Sequence, residues 1–146
     1  MKPMTEFVNR KIMTGVLAGL MLLLIQGNGA RACEKVPPEY QKRKNPVTLT
    51  ESRISYFRKQ FQSRCALCHG KDGKGGGEEA GKMAFPPVNL TDSKFMGACS
   101  DGQIYYQIEK GGEEKSAMPA FGPDSDAGWS ESKIWGMVAY VRTLVN

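Results

Sequence analysis

Two cysteines and one histidine lie within five residues of one another, in the segment Cys65-Ala-Leu-Cys-His69. His69 is the only histidine of the 146-residue chain, and the segment holds two of its four cysteines. A thiolate is a nucleophile and a metal ligand, and imidazole is the commonest metal ligand in proteins. These residue types therefore suit covalent attachment, metal binding or redox chemistry.

The Cys-x-x-Cys-His spacing is the attachment pattern of c-type haem. Two cysteines three positions apart near a helix end can each form a thioether to one vinyl group of the porphyrin. The adjacent histidine then lies below the iron. We expect Cys65 and Cys68 to attach one haem c covalently and His69 to bind its iron.

Three other chemistries use similar residues. A zinc site needs two further ligands, but Cys33 and Cys99 are far apart in the sequence and no second histidine exists. A thioredoxin-like pair follows a strand in a βαβ unit, whereas this pair follows an amphipathic helix. A plain disulfide fits an exported protein but leaves the fixed histidine without a role. The five-residue pattern favours haem.

The second axial position requires another residue type, because the chain has no second histidine. Methionine sulfur is a common partner of histidine and raises the reduction potential. Met118 is followed by Pro119, which stiffens the backbone. Met83 and Met96 stand beside aromatic residues, where filling gaps is the expected role, and Met137 lies in a predicted helix. We therefore expect Met118 to be the second ligand.

The first 32 residues have the order of an export signal. A basic segment precedes an apolar run at residues 12–25, and Ala30-x-Ala32 follows. The run is shorter than the roughly 20 residues that a membrane-spanning helix needs. We expect residues 1–32 to be a cleaved signal peptide and the protein to be periplasmic, with an uncleaved membrane anchor as the alternative.

Most of the net charge of +5 belongs to that leader. Without Lys2, Arg10, Lys11, Arg31 and Glu6, the chain keeps 16 basic and 14 acidic side chains. A protein so close to neutrality has no strong electrostatic attraction to nucleic acid or to anionic membranes.

Three amphipathic helices are predicted, and they are separated by long loops. The first opens at Thr48 and Glu51, which have capping-box spacing; the second is capped by Ser100 and Gln103, and the third by Ser130. The basic, proline-rich residues 33–50 are predicted to be a linker or an N-terminal extension. No period-2 strand is present, so the expected class is all-α. So few helices bury little apolar surface on their own, and a large cofactor would complete the core.

In their order and spacing, five segments resemble those of the small mono-haem, His/Met-ligated cytochromes c, which are exported electron carriers of bacteria. The resemblance covers about residues 51–146. The segments are CALCHGKDGKG, FPPVNLTD, SDGQIYYQIEKG, SAMPAFG and IWGMVAYVRTL. It implies a cytochrome c fold, with three main helices and long loops wrapped around one covalent haem.

Further roles follow from this resemblance. It implies that the Pro87 carbonyl accepts the second N–H of His69, that Leu90 lines the haem face, and that Phe61 packs near Tyr140. In the family a small residue often stands eight positions before the first haem cysteine, where the first and last helices cross. Here that position is Phe57, and we expect Gly136 to make room for it.

Cys33 and Cys99 are left over after haem attachment. They can form a disulfide in an exported protein. Alternatively, Cys33 becomes the first residue after cleavage and carries a lipid, which would tether the protein to a membrane.

The sequence thus predicts a single-electron carrier that cycles between Fe(II) and Fe(III) and meets a redox donor and acceptor transiently. It is not expected to be an enzyme by itself. Two alternatives stay open: a haem subunit of a larger membrane oxidoreductase, and a peroxidase or gas-binding protein if Met118 is not a ligand.

Overall fold

The computed structural model describes residues 33–112 and 117–145. Across these two ranges the chain forms helices and loops and no strand, which confirms the all-α class. The helices are α1 (Pro38–Gln41), α2 (Glu51–Arg64), α3 (Ala66–His69), α4 (Ser93–Ala98), α5 (Asp101–Lys110) and α6 (Glu131–Arg142), with a single 3₁₀ turn at Ala80–Lys82. The predicted signal peptide lies outside the described residues.

The caps predicted for α5 and α6 are confirmed. Ser100 and Gln103 form a reciprocal capping box at α5, and the Ser130 side chain accepts from the backbone N–H of Lys133 at α6. The cap predicted for the first helix is wrong. Thr50, not Thr48, caps α2 by accepting from the N–H of Arg53. The preceding residues are outside the helix, and the partly buried Val47 and Leu49 pack against the core.

Helices α1, α3 and α4 were not predicted. The longest of them, α4, has six residues and is capped by the Asp92 side chain, which accepts from the N–H of Phe95. Helices this short carry too few residues to show a 3.6-residue period.

Helices α2 and α6 cross at close range. Phe57 on α2 is buried, and its ring lies directly over Gly136, where a Cβ atom would overlap the ring. The expectation that Gly136 makes room for Phe57 is confirmed. One turn further along α2, the ring of Phe61 lies 5.7 Å from that of Tyr140, as expected.

Residues 33–50 form an N-terminal strap that packs against α5 and α6. The Tyr40 hydroxyl donates to Glu109 at 2.7 Å, and this bond, with burial, raises the pKa of Tyr40 to about 12. The Arg43 guanidinium lies 4.4 Å from the ring centre of Tyr105 and 5.0 Å from that of Trp135. It also pairs with a carboxylate of α6. This basic part of the strap is therefore held by aromatic and acidic partners.

A disulfide joins the strap to the end of α4. Cys33 and Cys99 are bonded, with their Cα atoms 5.3 Å apart. The bond uses the thiol that a lipid at Cys33 would need, so the structure favours the disulfide of the two alternatives. Near the same point, the Arg142 guanidinium donates to the Asp101 carboxylate at 2.8 Å and to the carbonyl of Cys99.

Within the described part of the chain, no helix has both the length and the apolar character needed to cross a membrane.

We expect Gly136→Ala to lower the free energy of unfolding by about 1–3 kcal/mol, because the added methyl group overpacks the site of the Phe57 ring. Chemical denaturation of the protein with its haem attached measures this loss. Gly97→Ala is the matched control, since its Cβ would meet nothing within 4 Å. In a Phe57→Ala background, Gly136→Ala should cost much less. An equal cost in both backgrounds would contradict the packing described for this crossing.

We expect the double variant Cys33→Ser, Cys99→Ser to lose about 2–5 kcal/mol of unfolding free energy, because the disulfide restricts the unfolded chain. Denaturation with and without a reductant measures the loss. The reductant should weaken the parent protein and leave the double variant unchanged. Labelling of Cys33 and Cys99 by a thiol reagent in the unreduced, unfolded protein would show that the bond does not form.

Candidate functional site

A cavity of about 600 Å³ lies between the helices and the loops. This volume is within the usual range of ligand pockets, and the lining is mainly apolar. The cavity brings together all six site residues predicted from the sequence: Cys65, Cys68, His69, Pro87, Leu90 and Met118.

A single helical turn places the two cysteines and the histidine on one side. The N–H of Cys65 still bonds to the carbonyl of Phe61, at the end of α2, and the N–H of His69 bonds to the carbonyl of Cys65 at 2.8 Å. Positions i, i+3 and i+4 of a helix share a face. The Cys-x-x-Cys-His spacing therefore directs Cys65, Cys68 and His69 into the same cavity.

The loop after His69 folds back onto this turn. The N–H of Gly75 bonds to the carbonyl of His69 at 2.7 Å, and the N–H of Leu90 bonds to the carbonyl of Gly73 at 2.8 Å. Gly75 has a φ of 87°, and a Cβ there would lie 2.5 Å from the Pro87 carbonyl oxygen. Glycine is therefore needed for Pro87 and Leu90 to reach the cavity wall.

His69 is half-buried in the cavity wall. Its Nδ1 atom is buried and makes no hydrogen bond. Burial lowers the pKa of His69, and a backbone group of Val88 opposes part of that shift. Burial therefore favours the neutral imidazole, which is the form that binds metals. The hydrogen bond expected from His69 to the Pro87 carbonyl stays a prediction.

Both cysteine sulfurs at the site are free thiols. Burial raises the pKa of Cys65 to about 12, and burial together with Glu79 raises that of Cys68. Cys65 and Cys68 are not joined to each other in a disulfide. Among the described residues, no group of three or more Cys, His, Asp or Glu side chains is placed to hold a metal ion.

Met118 belongs to the part of the cavity wall formed by α5 and the segment after it. The N–H of Gly112 bonds to the Met118 carbonyl at 3.1 Å, and the N–H of Phe121 bonds to the carbonyl of Ile108 at 2.9 Å. These bonds hold the segment 118–122 against the last turns of α5. Three other methionines line the cavity as well: Met83, Met96 and Met137. Met96 and Met137 are buried core residues of α4 and α6.

Sequence reasoning missed several cavity residues. Gln107, Trp129 and Phe95 line the cavity but were not predicted as site residues. Gln107 follows Ile104 by three positions and precedes Ile108 by one, so the helical period could have placed it near the buried face. The apolar face predicted for this helix was defined by its apolar residues alone, so it did not include Gln107.

The residues of the cavity fit a c-type haem. Two thiols on one helical turn, a neutral imidazole and a thioether sulfur are the side chains that such a group uses. The apolar lining suits a large flat ring. Among the described residues, the only buried side-chain nitrogens or oxygens without a hydrogen bond are His69 Nδ1 and Gln107 Nε2, and both residues line this cavity.

The chain is similar to known proteins over most of its described length. Residues 54–141, more than half of the chain, match the family model of cytochrome c oxidase, cbb3-type, subunit III. A chain of the Kuenenia stuttgartiensis reducing HAO-like protein complex Kustc0457/Kustc0458 is 29% identical, with a TM-score of 0.56 over 69% of this chain. Our chain covers 47% of that one and thus spans about half its length.

A second solved structure, the KustC0563 c-type cytochrome, is 25% identical over 61% of this chain and 96% of that chain, with a TM-score of 0.48. No curated protein sequence matches.

The family model covers the Cys-x-x-Cys-His turn, the loop behind it, the Met118 segment and most of α6. It confirms the resemblance found in the sequence. The chain belongs to the cytochrome c family, in the group described as subunit III of cbb3-type cytochrome c oxidase.

Proposed function

We propose that this protein is a single-electron carrier with one haem c, attached through Cys65 and Cys68 and ligated by His69 and Met118. The observation that carries the proposal is the single cavity onto which all four side chains converge. The haem, when bound, supplies a one-electron Fe(II)/Fe(III) couple.

Electron transfer is efficient because hydrogen bonds fix the segments that carry the haem-binding residues. Cys65, Cys68 and His69 belong to one hydrogen-bonded turn, and Gly112 and Phe121 tie the Met118 segment to α5. Ligands fixed in this way stay in place when the charge on the iron changes. The apolar side chains around them exclude water and disfavour the more highly charged ferric state, so they raise the reduction potential.

The Cys33–Cys99 disulfide supports export to the periplasm. Disulfides persist in oxidising compartments such as the periplasm and are rare in the cytosol. The predicted signal peptide at residues 1–32 leads to the same location. We propose a periplasmic carrier that meets its donor and acceptor through small, transient interfaces, and that catalyses no bond-making reaction by itself.

A second candidate function is a fixed haem subunit of a larger oxidoreductase. Two observations favour it: the matching family model describes an oxidase subunit, and one similar structure is a chain of a protein complex.

We expect Met118→Ala to abolish the weak far-red charge-transfer band between methionine and ferric iron, because it removes the sulfur ligand. The measurement is an absorption spectrum of ferric protein made in a host that attaches haem. Met83→Ala is the control and should keep the band, although Met83 also lines the cavity. A parent protein that lacks the band and is high-spin would refute the His/Met ligation. It would favour the peroxidase or gas-binding alternative.

The carrier and the subunit hypotheses differ in how the protein purifies from its native membrane and periplasmic fractions. A transient carrier should elute from size exclusion at the size of a single chain of 16.1 kDa or less. A fixed subunit should elute with stoichiometric partner chains that survive raised salt. Recovery of such a complex would replace the carrier proposal with the subunit one.

A further inference from the structure

The disulfide is part of the cavity wall. Cys33, Glu34 and Cys99 all line the cavity, although none of them attaches or ligates the haem in the proposed function. Cys99 is buried and Cys33 is half-buried. The bond joins two positions that are 66 residues apart, and it fastens the beginning of the strap to the end of α4. The disulfide therefore closes one part of the cavity.

The later part of the strap is attached outside the cavity. The Tyr40 hydroxyl donates to Glu109, and Asn45 Nδ2 donates to the backbone carbonyl of Trp135 at 2.9 Å. Neither Glu109 nor Trp135 lines the cavity. These contacts do not involve the disulfide, so they hold residues 40–45 in place whether or not the bond is intact.

The segment 33–37, before α1, has a different attachment. Among the described residues, no member of this segment belongs to the hydrophobic core or packs against it, and Tyr40 is the first strap residue that does. Polar contacts are present, such as the bond from Gln103 Nε2 to the Glu34 carbonyl at 3.0 Å. A segment with few buried apolar contacts opens at a low cost in free energy. The disulfide is therefore the strongest constraint on the segment 33–37.

We propose that the Cys33–Cys99 disulfide is a redox-controlled latch on the cavity. Reduction by a dithiol releases the segment 33–37 and opens the cavity to small ligands, while residues 40–45 stay attached. The inference goes beyond electron transfer, and it rests on the proposed function for the presence of a haem in the cavity. The latch makes access to the iron depend on the thiol–disulfide balance of the compartment.

Reduction of the latch is a thiol–disulfide exchange. Cys33 is more exposed than Cys99, so a thiolate of the dithiol attacks the Cys33 sulfur, and Cys99 leaves as a thiolate that takes up a proton. The second thiol of the dithiol then displaces Cys33, which is released and protonated in the same way. The protein disulfide gains two electrons and two protons, and the dithiol loses them as it becomes a disulfide.

The test measures carbon monoxide binding to the haem-loaded protein in two states of the disulfide. Both samples contain ascorbate, which reduces the haem but not the disulfide, and one also contains dithiothreitol, which reduces the disulfide. We expect carbon monoxide to bind about tenfold faster with dithiothreitol, because local opening of the wall admits the ligand. The double variant Cys33→Ser, Cys99→Ser should bind at the fast rate in both samples.

A control separates release of the segment from a general loss of stability. Gly136→Ala is expected to lower the stability at the crossing of α2 and α6, keeps the disulfide, and does not change a residue of the cavity lining. Its carbon monoxide rate should equal that of the parent protein with an intact disulfide. An equal acceleration in Gly136→Ala, or an unchanged rate in the double variant, would overturn the inference.

Backbone order parameters of the parent protein provide a second measurement if the double variant does not fold. On reduction of the disulfide they should fall for residues 34–36 and stay high for residues 40–45. A uniform fall along the strap, or no fall at all, would contradict the latch. Absence of the far-red methionine band from the ferric parent protein would instead refute the His/Met ligation. The comparison of the two disulfide states would still apply, so the two failures are distinguishable.

Discussion

One helical turn imposes the constraint on which the rest of the structure depends. Cys65, Cys68 and His69 can face a single group only while the chain from α2 through α3 stays helical, and the bonds from Cys65 to Phe61 and from His69 to Cys65 keep it so. The loop that follows His69 must then fold back onto that turn. The glycine-rich loop does so through Gly75, and it carries Pro87 and Leu90 to the same wall.

The packing of α2 against α6 fixes the direction from which this turn enters the cavity. Phe57 fills the space over Gly136, and Phe61 contacts Tyr140 one turn later. In the family that the sequence resembles, the small residue at this crossing is on α2. Here the large ring is on α2 and the small residue, Gly136, is on α6. The two helices can therefore remain close, because the combined side-chain volume at the crossing stays small.

The N-terminal strap closes the molecule on the side of α4 and α5. Three different kinds of interaction hold the strap along its length. They are the Cys33–Cys99 disulfide, the Tyr40–Glu109 hydrogen bond and the contact of the Arg43 guanidinium with aromatic rings. Cys33 and Glu34 also line the cavity. The strap is thus part of the cavity wall.

The sequence by itself predicted the main helices and the residues that the structure brings together in the cavity. The spacing of Cys65, Cys68 and His69 acts within one helical turn, and the caps at Ser100 and Ser130 act over three residues. These features depend only on residues that are close in the sequence, so they could be predicted from it. Met118 could be named because its residue type, with Pro119 behind it, limits the choices. The assignment of Met118 as a ligand remains a proposal.

Only the tertiary structure decided which residues complete the walls. Contacts such as Arg43 on Tyr105 and Cys33 with Cys99 join residues that are distant in the sequence. Gln107 lines the cavity although its side chain is polar. The same holds for the start of α2, where Thr50 caps the helix in place of Thr48 and the partly buried Val47 and Leu49 pack against the core. Burial depends on the whole packed chain, and no local spacing encodes it.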